Sequence, residues 1–423
     1  MALNITKRGN SWQYRFEIAS IEGKRKQISK SGFRTKKEAN EAGIKALAEY
    51  NNSGVTITPS DVSVSDYLDY WLDTYGKLNL KYNTQLNYLY IIENHLKPNL
   101  GMYRLKSLSA ATIQEYANAL KLRGLSRSHC VGIISTLSGA LNYAVEPLHY
   151  IQYNPCDNVK YPKFTEKRDK ARYIITPEQF NQIIERFPAT SPFYLPLMIG
   201  YYTGMRVGEV FGLTWDDIDM NERTISVNKI LVKRNFGVDV RKALKIKGKK
   251  EEKSAWYFGS PKTLTSTRTI SFGDTLYSAL RIAKLKQKEN EWTYGEYYKC
   301  IYRKPEKDEK GDTIFRLVEI EKAIPCAIKR VNMVCIKESG ELLSVDSMKY
   351  PSRVIHHELK MDFNFHSLRH THATILIENG ANVKAVQERL GHQNIETTLN
   401  TYVHNTEIMK EQSVDIFEKA VTA

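Results

Sequence analysis

The sequence predicts a multidomain protein that is mainly α-helical with small β elements. Three observations support this fold class. The chain has 423 residues, enough for two or three domains. A short segment with the period of a β-strand lies near its start, and long segments with the period of an α-helix follow. We therefore expect an N-terminal three-stranded sheet plus a helix (residues 1–58), a helical domain (62–163) and an α+β domain (173–423).

The first domain is predicted from a strict alternation of apolar and polar residues. Four apolar residues alternate with polar ones, as in a half-buried strand. They are Trp12, Tyr14, Phe16 and Ile18. A turn at residues 22–23 leads to a second strand at 24–29, and residues 5–8 add a third. Thr35 and Glu38 have the spacing of a capping box, which predicts a helix to about residue 50.

The outer face of this sheet is basic. Residues 1–54 contain 11 Lys and Arg against 5 Asp and Glu. Arg15, Lys24 and Lys26 are our candidate DNA contacts here, because β-ribbon proteins place such a face in a DNA groove. A solvated polar surface has the same pattern, and charge alone does not separate the two interpretations.

The second domain is predicted to be a four-helix module. Ser63 and Asp66 resemble a capping box, and an apolar stripe at helical spacing follows. The stripe consists of Val64, Tyr67, Leu68, Trp71, Leu72 and Tyr75. A second helix is expected at about 84–96, ending before Pro98, a third around 113–120, and a fourth after Ser126. Lys81 and Arg127 lie at helix ends, where they suit a clamp on duplex DNA. An ordinary helical bundle has the same periodicity, which by itself favours that interpretation.

The third domain follows a charged linker at residues 163–172. Thr176 and Pro177 are expected to begin its first helix. Residues 224–272 form a strand-rich middle that includes a basic loop at 241–253. Residues 287–359 are charged and predicted to be irregular, with no role assigned.

The charge and composition of the chain indicate which class of partner it binds. The formal net charge of +15 and the pI of about 9.3 favour a polyanion, most often nucleic acid. An anionic membrane is the competing partner, but no apolar run approaches the roughly 20 residues of a spanning helix. Lys7 and Arg8 precede no apolar core, so we expect no secretory signal. The five scattered cysteines are interpreted as reduced thiols of a cytosolic protein, without disulfides or a zinc site.

Six residues form a set suited to phosphate chemistry. His366, Arg369, His392 and Tyr402 lie within the segment from Phe365 to His404. The motifs TGMRVGE and SPKTLTSTRTI add the other two, Arg206 and Lys262. Guanidinium groups clamp phosphate, imidazoles and an ammonium move protons, and a phenol can become phosphorylated.

Each of these residues also has an ordinary structural interpretation. A single arginine near a turn is most often in an ion pair, a lysine in a polar turn is most often solvated, and Tyr402 is one of 26 tyrosines. His370 and His372 are interpreted as structural. Order and spacing distinguish the set: TGxRxGE, PKTxxSxRTI, HxLRHTHAT and LGH occur in succession, and a tyrosine follows ten residues after the last histidine.

This succession resembles the tyrosine recombinase (phage integrase) family over residues 62–404. In the family it carries a catalytic arginine, lysine, histidine, arginine, histidine and tyrosine. The matching positions are Arg206, Lys262, His366, Arg369, His392 and Tyr402. The one departure noticed is Ser367, where an acidic or small residue is common. The first domain resembles the family's arm-binding domain and the second its core-binding (SAM-like) domain.

The resemblance implies a division of labour. Arg206 and Arg369 would clamp the phosphate, Tyr402 would attack phosphorus, and His366 would handle the phenolic proton. His392 would donate a hydrogen bond to the phosphate, and Lys262 would protonate the leaving oxygen. Glu209 is expected to orient the site rather than act on DNA.

The resemblance also implies partners and products. It implies a 3′-phosphotyrosine intermediate, a free 5′-hydroxyl, a Holliday junction, and a homo-tetramer acting on paired sites in double-stranded DNA, with core and arm sites and without ATP or metal. An excisionase and a host DNA-bending protein are partners that the sequence does not identify. The expected location is the bacterial cytoplasm, associated with the nucleoid when bound to DNA.

Several functions remain open at this point. The leading one is integration and excision of a phage or conjugative transposon. A chromosomal dimer-resolving tyrosine recombinase ranks lower, because such enzymes usually lack a basic, strand-rich first domain. A catalytically silent DNA-binding regulator would lack an arginine or the tyrosine, and none is missing. A type IB topoisomerase would not need the first domain.

A C-terminal apolar stripe at Val414, Phe417 and Val421 could close the protein's own core or dock on a neighbouring subunit, and we favour docking.

Overall fold

The structure is a computed structural model that describes most of the chain. The described residues are 3–9, 11–21, 24–53, 62–164, 173–235, 254–261, 266–308 and 310–393. They fall into two compact units. One contains residues 1–74 and 90–164, and the other contains residues 75–89 and 165–423.

The N-terminal sheet is antiparallel with strand order β1-β2-β3, as predicted. Its strands are β1 (Asn4–Arg8), β2 (Ser11–Ile21) and β3 (Lys24–Phe33), followed by α1 (Lys36–Ser53). Tyr14 and Phe16 are buried against Ala46 of α1, so the alternation predicted the buried face correctly. The Thr35 hydroxyl accepts from the amide of Glu38, whereas the Glu38 carboxylate accepts from the amide of Arg34. The predicted turn at residues 22–23 lies outside the described residues.

The second region is helical throughout, which confirms the prediction. It contains α2 (Val64–Trp71), α3 (Lys77–Asn79), α4 (Tyr82–Ile91), α5 (Lys97–Leu100), α6 (Ala110–Leu122) and α7 (Arg127–Val145). Single π turns at Leu72–Gly76 and Ile92–Leu96 join α2 to α3 and α4 to α5. The hydroxyls of Ser63, Ser109 and Ser126 each accept a backbone amide at the start of a helix. These caps satisfy amides that have no partner within the helix.

The expected helix end before Pro98 is wrong. The helical path continues through α5 to Leu100. Pro98 lies in the first turn of α5, where a missing N–H breaks no helical bond. A π turn directly precedes Pro98, since the amide of Lys97 bonds to the carbonyl of Ile92, five residues earlier.

The second unit combines helices with two sheets. It includes α3 and most of α4. Its further α-helices among the described residues are α8 (Pro177–Arg186), α9 (Tyr194–Thr203), α10 (Val207–Phe211), α11 (Asp274–Tyr294), α12 (Lys349–His357), α13 (Phe365–Glu378) and α14 (Val383–Leu390). One sheet has the order β4-β5-β8, with β4 (Ile218–Asp219), β5 (Thr224–Val227) and β8 (Arg268–Ser271). The other has the order β6-β7-β10-β9, with β6 (Ile230–Asn235), β7 (Ser254–Gly259), β9 (Lys299–Lys307) and β10 (Thr313–Glu321). Thr176 caps α8 through a capping box with Gln179, as its ThrPro pair predicted.

The prediction that residues 287–359 are irregular is wrong. They contain the end of α11, the β9–β10 hairpin and α12. The hairpin is antiparallel, pairs Lys307 with Thr313 at one end and Lys299 with Glu321 at the other, and joins β7 through β10. Charged residues on its outward face hide the apolar alternation that usually reveals a strand. The basic loop predicted at 241–253 and most of the linker at 163–172 lie outside the described residues.

Close packing of α9 against α13 positions the site. A Cβ on Gly200 would lie 2.8 Å from the ring of Phe365 and 2.9 Å from Leu368, so only a glycine allows this approach. The contact brings the end of α9 beside the first turns of α13. No helix within the described ranges has the length and apolar character needed to cross a membrane. The five cysteines are free thiols.

Candidate active site

Arg206 stands at the start of α10, just after the turn that ends α9. Gly204 makes this turn with a φ of 66°, in the left-handed region that glycine adopts without strain. The Glu209 carboxylate accepts from the backbone amide of Arg206 at 2.9 Å and from its Nη1 at 2.8 Å. The side chain of Arg206 is 32% exposed, so its guanidinium is held by protein and still faces solvent.

Arg369 lies in the second turn of α13 and is 1% exposed. Its Nη1 donates to the carbonyl of Gly204 at 2.9 Å, and its Nη2 donates to the carbonyl of Leu390 at 2.8 Å. Arg369 therefore ties the α9 turn to the end of α14. The two arginines predicted from distant motifs meet at the same place.

The C-terminus of α14 is where the arginines converge. Three consecutive carbonyl oxygens there each accept a bond from an arginine of a different element. The pairs are Arg268 Nε with the Arg389 oxygen at 2.6 Å, Arg369 Nη2 with the Leu390 oxygen at 2.8 Å, and Arg206 Nη2 with the Gly391 oxygen at 3.3 Å. Carbonyls at a helix end lack helical partners and carry partial negative charge, so cations stabilise them.

His392 follows this helix end directly. Gly391 ends α14 with a φ of 69°, and the His392 backbone is held on both sides by Gln387, at 3.1 Å and 2.9 Å. Burial, then the charges of Arg369 and Arg206, lower the pKa of His392 to about 4. The imidazole is therefore neutral near pH 7, so it can donate one hydrogen bond without repelling the arginines.

His366 is exposed on the first turn of α13, one turn before Arg369. Its ring lies 4.6 Å from that of His370 in an edge-to-face arrangement. His366 also contributes to the lowered pKa of His392, which places it in the same cluster. The structure thus brings together four of the six predicted residues: Arg206, His366, Arg369 and His392.

The remaining two, Lys262 and Tyr402, lie outside the described residues. Lys262 falls between the end of β7 at Gly259 and the start of β8 at Arg268. The apolar stripe at Val414, Phe417 and Val421 also lies outside them.

Arg268 is a site residue that the sequence reasoning missed. Its Nη2 donates to Glu209 at 2.9 Å, on the carboxylate that also binds Arg206. Both side chains are almost fully buried, Arg268 at 6% and Glu209 at 2% exposed. Burial opposes ionisation of Glu209, but the bond to Arg268 and the charges of Arg268 and Arg206 outweigh it and lower the pKa of the carboxyl. The sequence signal for a role of Arg268 was its place in the motif SPKTLTSTRTI, where a charged residue lies within a strand.

Two residues beside the motif have structural contacts. His372 bonds to the Tyr201 carbonyl at 2.9 Å and to Arg389 Nε at 2.9 Å, in line with the structural role expected for it. Ser367 is buried, and its amide donates to the Asn364 side chain that caps α13.

The five candidate DNA-contacting residues lie in different structural surroundings. Arg15 is exposed on β2, and Lys24 and Lys26 pair with Ile21 and Ile18 across β2 and β3. Arg127 is exposed at the start of α7. Lys81 donates from Nζ to the Pro261 carbonyl at 2.6 Å, so one of its bonds goes to the segment that precedes Lys262.

Three family models match the chain in succession. Residues 4–50 match the arm DNA-binding domain, and residues 63–121 match the phage integrase N-terminal SAM-like domain. Residues 174–293 and 297–408, more than half of the chain, match the phage integrase family.

Similar proteins cover nearly the whole length. A protein described as tyrosine recombinase XerC-like, from Caldanaerobacter subterraneus subsp. tengcongensis, is 26% identical over 420 residues, 97% of either chain. The ICEBs1 integrase of Bacillus subtilis is 26% identical over 377 residues, 88% of this chain and 86% of that one.

Solved structures share the fold. The Tn1549 transposon integrase in complex with a circular intermediate DNA has a TM-score of 0.61 at 22% identity, covering 84% of this chain and 100% of that one. A lambda integrase dimer bound to a COC′ core site has a TM-score of 0.51 at 16% identity, covering 96% and 95%.

Proposed function

Because the chain belongs to the phage integrase family, we propose that the cluster of Arg206, Arg369 and His392 holds the phosphodiester at which DNA is cut and rejoined. The protein is a tyrosine-type site-specific DNA recombinase of the integrase group. The observation that supports the assignment best is the convergence of Arg206 and Arg369 on adjacent carbonyls at one helix end. An integrase of a phage or conjugative transposon is favoured over a chromosomal dimer-resolving enzyme, since an arm DNA-binding domain precedes the catalytic part.

The proposed chemistry conserves the energy of the phosphodiester bond, because each step exchanges one phosphate ester for another. The Tyr402 oxygen bonds to phosphorus while the bond from phosphorus to the 5′ oxygen breaks. The phenolic proton passes to His366, and Lys262 protonates the departing 5′ oxygen. Attack by the 5′-hydroxyl of the partner strand reverses these steps and releases the tyrosine.

The described residues stabilise charge on the nonbridging oxygens. Arg206 presents its guanidinium to solvent while Glu209 fixes its direction. Arg369 bonds to the carbonyl next to the one that Arg206 binds, and neutral His392 adds a donor. Preorganised donors of this kind usually contribute most of the rate enhancement.

We assign the domains from their matches and charge. Residues 1–58 bind arm sites, residues 62–163 form the core-binding domain, and residues 173–423 form the catalytic domain. Exposed Arg15 and Arg127 fit contacts to the DNA backbone.

The partners proposed are double-stranded DNA carrying core and arm sites, and three further copies of this chain. A tetramer on paired sites agrees with a solved lambda integrase tetramer bound to a Holliday junction. In this proposal the tetramer acts on nucleoid DNA in a bacterial cell. An excisionase and a host DNA-bending protein complete the proposal.

A nicked suicide duplex tests the function. Cleavage on such a duplex releases a short 5′-hydroxyl fragment, which traps the covalent adduct. We expect mass spectrometry to map that adduct to Tyr402, and Tyr402→Phe to lose it while keeping specific binding. Tyr202→Phe is the matched control. An adduct that persists in Tyr402→Phe would refute the nucleophile assignment.

A further inference from the structure

Arg268 donates hydrogen bonds to three protein groups that adjoin the cluster of Arg206, Arg369 and His392. Nε donates to the Arg389 carbonyl at 2.6 Å, and Nη1 donates to the Ser266 carbonyl at 3.0 Å. Nη1 and Nη2 also face the two oxygens of Glu209, at 3.3 Å and 2.9 Å. These bonds hold the Arg268 guanidinium against protein groups, and 6% of its side chain is exposed.

Two routes lead from Arg268 to groups that face the phosphate. The first passes through Glu209, because each carboxylate oxygen is shared between Arg268 and Arg206. The second passes through the Arg389 carbonyl, which starts the run of three carbonyls that ends just before His392. One buried side chain therefore orients both a clamp arginine and the turn that carries a phosphate donor.

We infer that Arg268 is a positioning residue for strand cleavage, acting through Glu209 on Arg206 and through the Arg389 carbonyl on His392. This inference rests on the proposed function, in which Arg206 and His392 bind the scissile phosphate.

Charge gives the first reason. The Arg206–Glu209 pair alone has no net charge, whereas the triad that includes Arg268 carries a net positive charge beside the phosphate. Removal of Arg268 would leave the Glu209 carboxylate with Arg206 as its one ion-pair partner among the described residues. The buried carboxylate would then draw Arg206 away from the DNA and cancel its charge.

Geometry gives the second reason. A displacement of about 1 Å in a catalytic group can slow a reaction by roughly 10²-fold. The planar fork of arginine bonds to Glu209 and to the Arg389 carbonyl at once, which a lysine ammonium cannot do with the same geometry.

The test measures single-turnover cleavage of a suicide duplex at saturating protein, so that weaker binding does not enter the rate. We expect Arg268→Gln to cleave about 10²-fold more slowly than the wild type, with little change in affinity for the core site. The cleavage rate of Arg268→Lys should lie between those of the wild type and Arg268→Gln. If Arg268→Gln fails to fold, Arg268→Lys takes its place in the test.

A second substitution separates positioning from simple loss of stability. Adding Glu209→Gln to Arg268→Gln removes the unbalanced carboxylate, so the double variant should cleave faster than Arg268→Gln alone. A scissile methylphosphonate, which lacks the negative charge, should also reduce the defect of Arg268→Gln. A purely structural role predicts neither recovery.

Arg330 offers a matched control, because it makes a two-pronged bond to Glu291 at 3.0 Å and 3.0 Å and lies outside the cluster. Arg330→Gln should cleave at the wild-type rate. If Arg206→Ala cleaves normally, the proposed function is wrong. If Arg206→Ala is slow but Arg268→Gln and Arg268→Lys cleave at the wild-type rate, or neither recovery occurs, the role of Arg268 is overturned.

Discussion

Arg389 donates from Nε to Nε2 of His372 at 2.9 Å, and Nδ1 of the same ring lies 2.9 Å from the Tyr201 carbonyl oxygen. A guanidinium can only donate, so Nε2 must accept and Nδ1 must carry the proton. This arrangement requires a neutral ring. Burial, followed by the charge of Arg389, lowers the pKa of His372 to about 4.

The first prediction concerns acid stability. Since the pKa of His372 is lower in the folded protein than in the unfolded chain, the unfolded chain binds more protons between about pH 6.5 and pH 4. The free energy of unfolding should therefore fall as the pH drops through this window, by about 1 kcal/mol per pH unit from this histidine. Urea unfolding at pH 7, 6 and 5 measures the slope.

His372→Gln, which cannot take up a proton, should reduce that slope. It should not abolish it, because the pKa of His392 is lowered in the same direction. The exposed His357→Gln is the control and should leave the slope unchanged. An equal slope in His372→Gln and the wild type would contradict the prediction.

The second prediction separates the two clamp arginines. Arg206→Ala and Arg369→Ala should each slow cleavage by about 10²-fold to 10³-fold. Arg369→Ala should also lower the free energy of unfolding by about 2–4 kcal/mol, because it leaves the carbonyls of Gly204 and Leu390 without this partner inside the protein. Arg206 is partly exposed, so its loss should cost about 1 kcal/mol or less. Equal losses of stability in urea unfolding would show that burial does not distinguish them.

The third prediction concerns the turn before Arg206. Gly204 has a positive φ, and a Cβ there would lie 2.8 Å from Leu390 and 2.9 Å from His372. Gly204→Ala should therefore lower stability by more than the roughly 1 kcal/mol of backbone strain alone, and it should slow cleavage. Gly380→Ala is the matched control, since Gly380 also has a positive φ, of 80°, but nothing lies within 4 Å of its added Cβ. Similar melting temperatures for the two variants would rule out crowding.

The fourth prediction concerns the N-terminal sheet. Arg15→Ala should weaken binding to arm-site DNA and reduce the slope of log affinity against log salt by about 0.9, the value for one lost phosphate contact. Lys37→Ala, exposed on α1 rather than on the sheet, is the control and should leave the slope unchanged. Titrations by fluorescence anisotropy at several salt concentrations measure both. An unchanged slope in Arg15→Ala would remove this residue from the interface.

Much of the fold was predictable because local signals and tertiary packing agree. The predicted stripe is buried from Val64 to Leu72 and partly buried at Tyr75, and Ser63, Ser126 and Thr176 each cap a helix where the sequence indicated. The N-terminal sheet followed from the alternation of Tyr14 and Phe16 with polar neighbours. In these segments one face packs against the core, so the spacing of the apolar residues predicts the type of element.

Other parts depend on contacts between distant segments. The β9–β10 hairpin carries charges along its outward face, and its pairing with β7 has no local signal. Arg268 could not be assigned a role from the sequence, because its partners Glu209 and Arg389 lie 59 and 121 positions away. The clamp itself was recognised by motif, whereas its attachment to the end of α14 required the structure.

The three arginine-bonded carbonyls also bear on local motion. A helix of eight residues such as α14 is marginal in isolation and would normally open and exchange its amide hydrogens readily. Opening of this helix end, however, breaks three charge-assisted bonds to three separate elements at once. The amides in the last turn of α14 should therefore exchange with deuterium only when the surrounding catalytic fold unfolds as a whole.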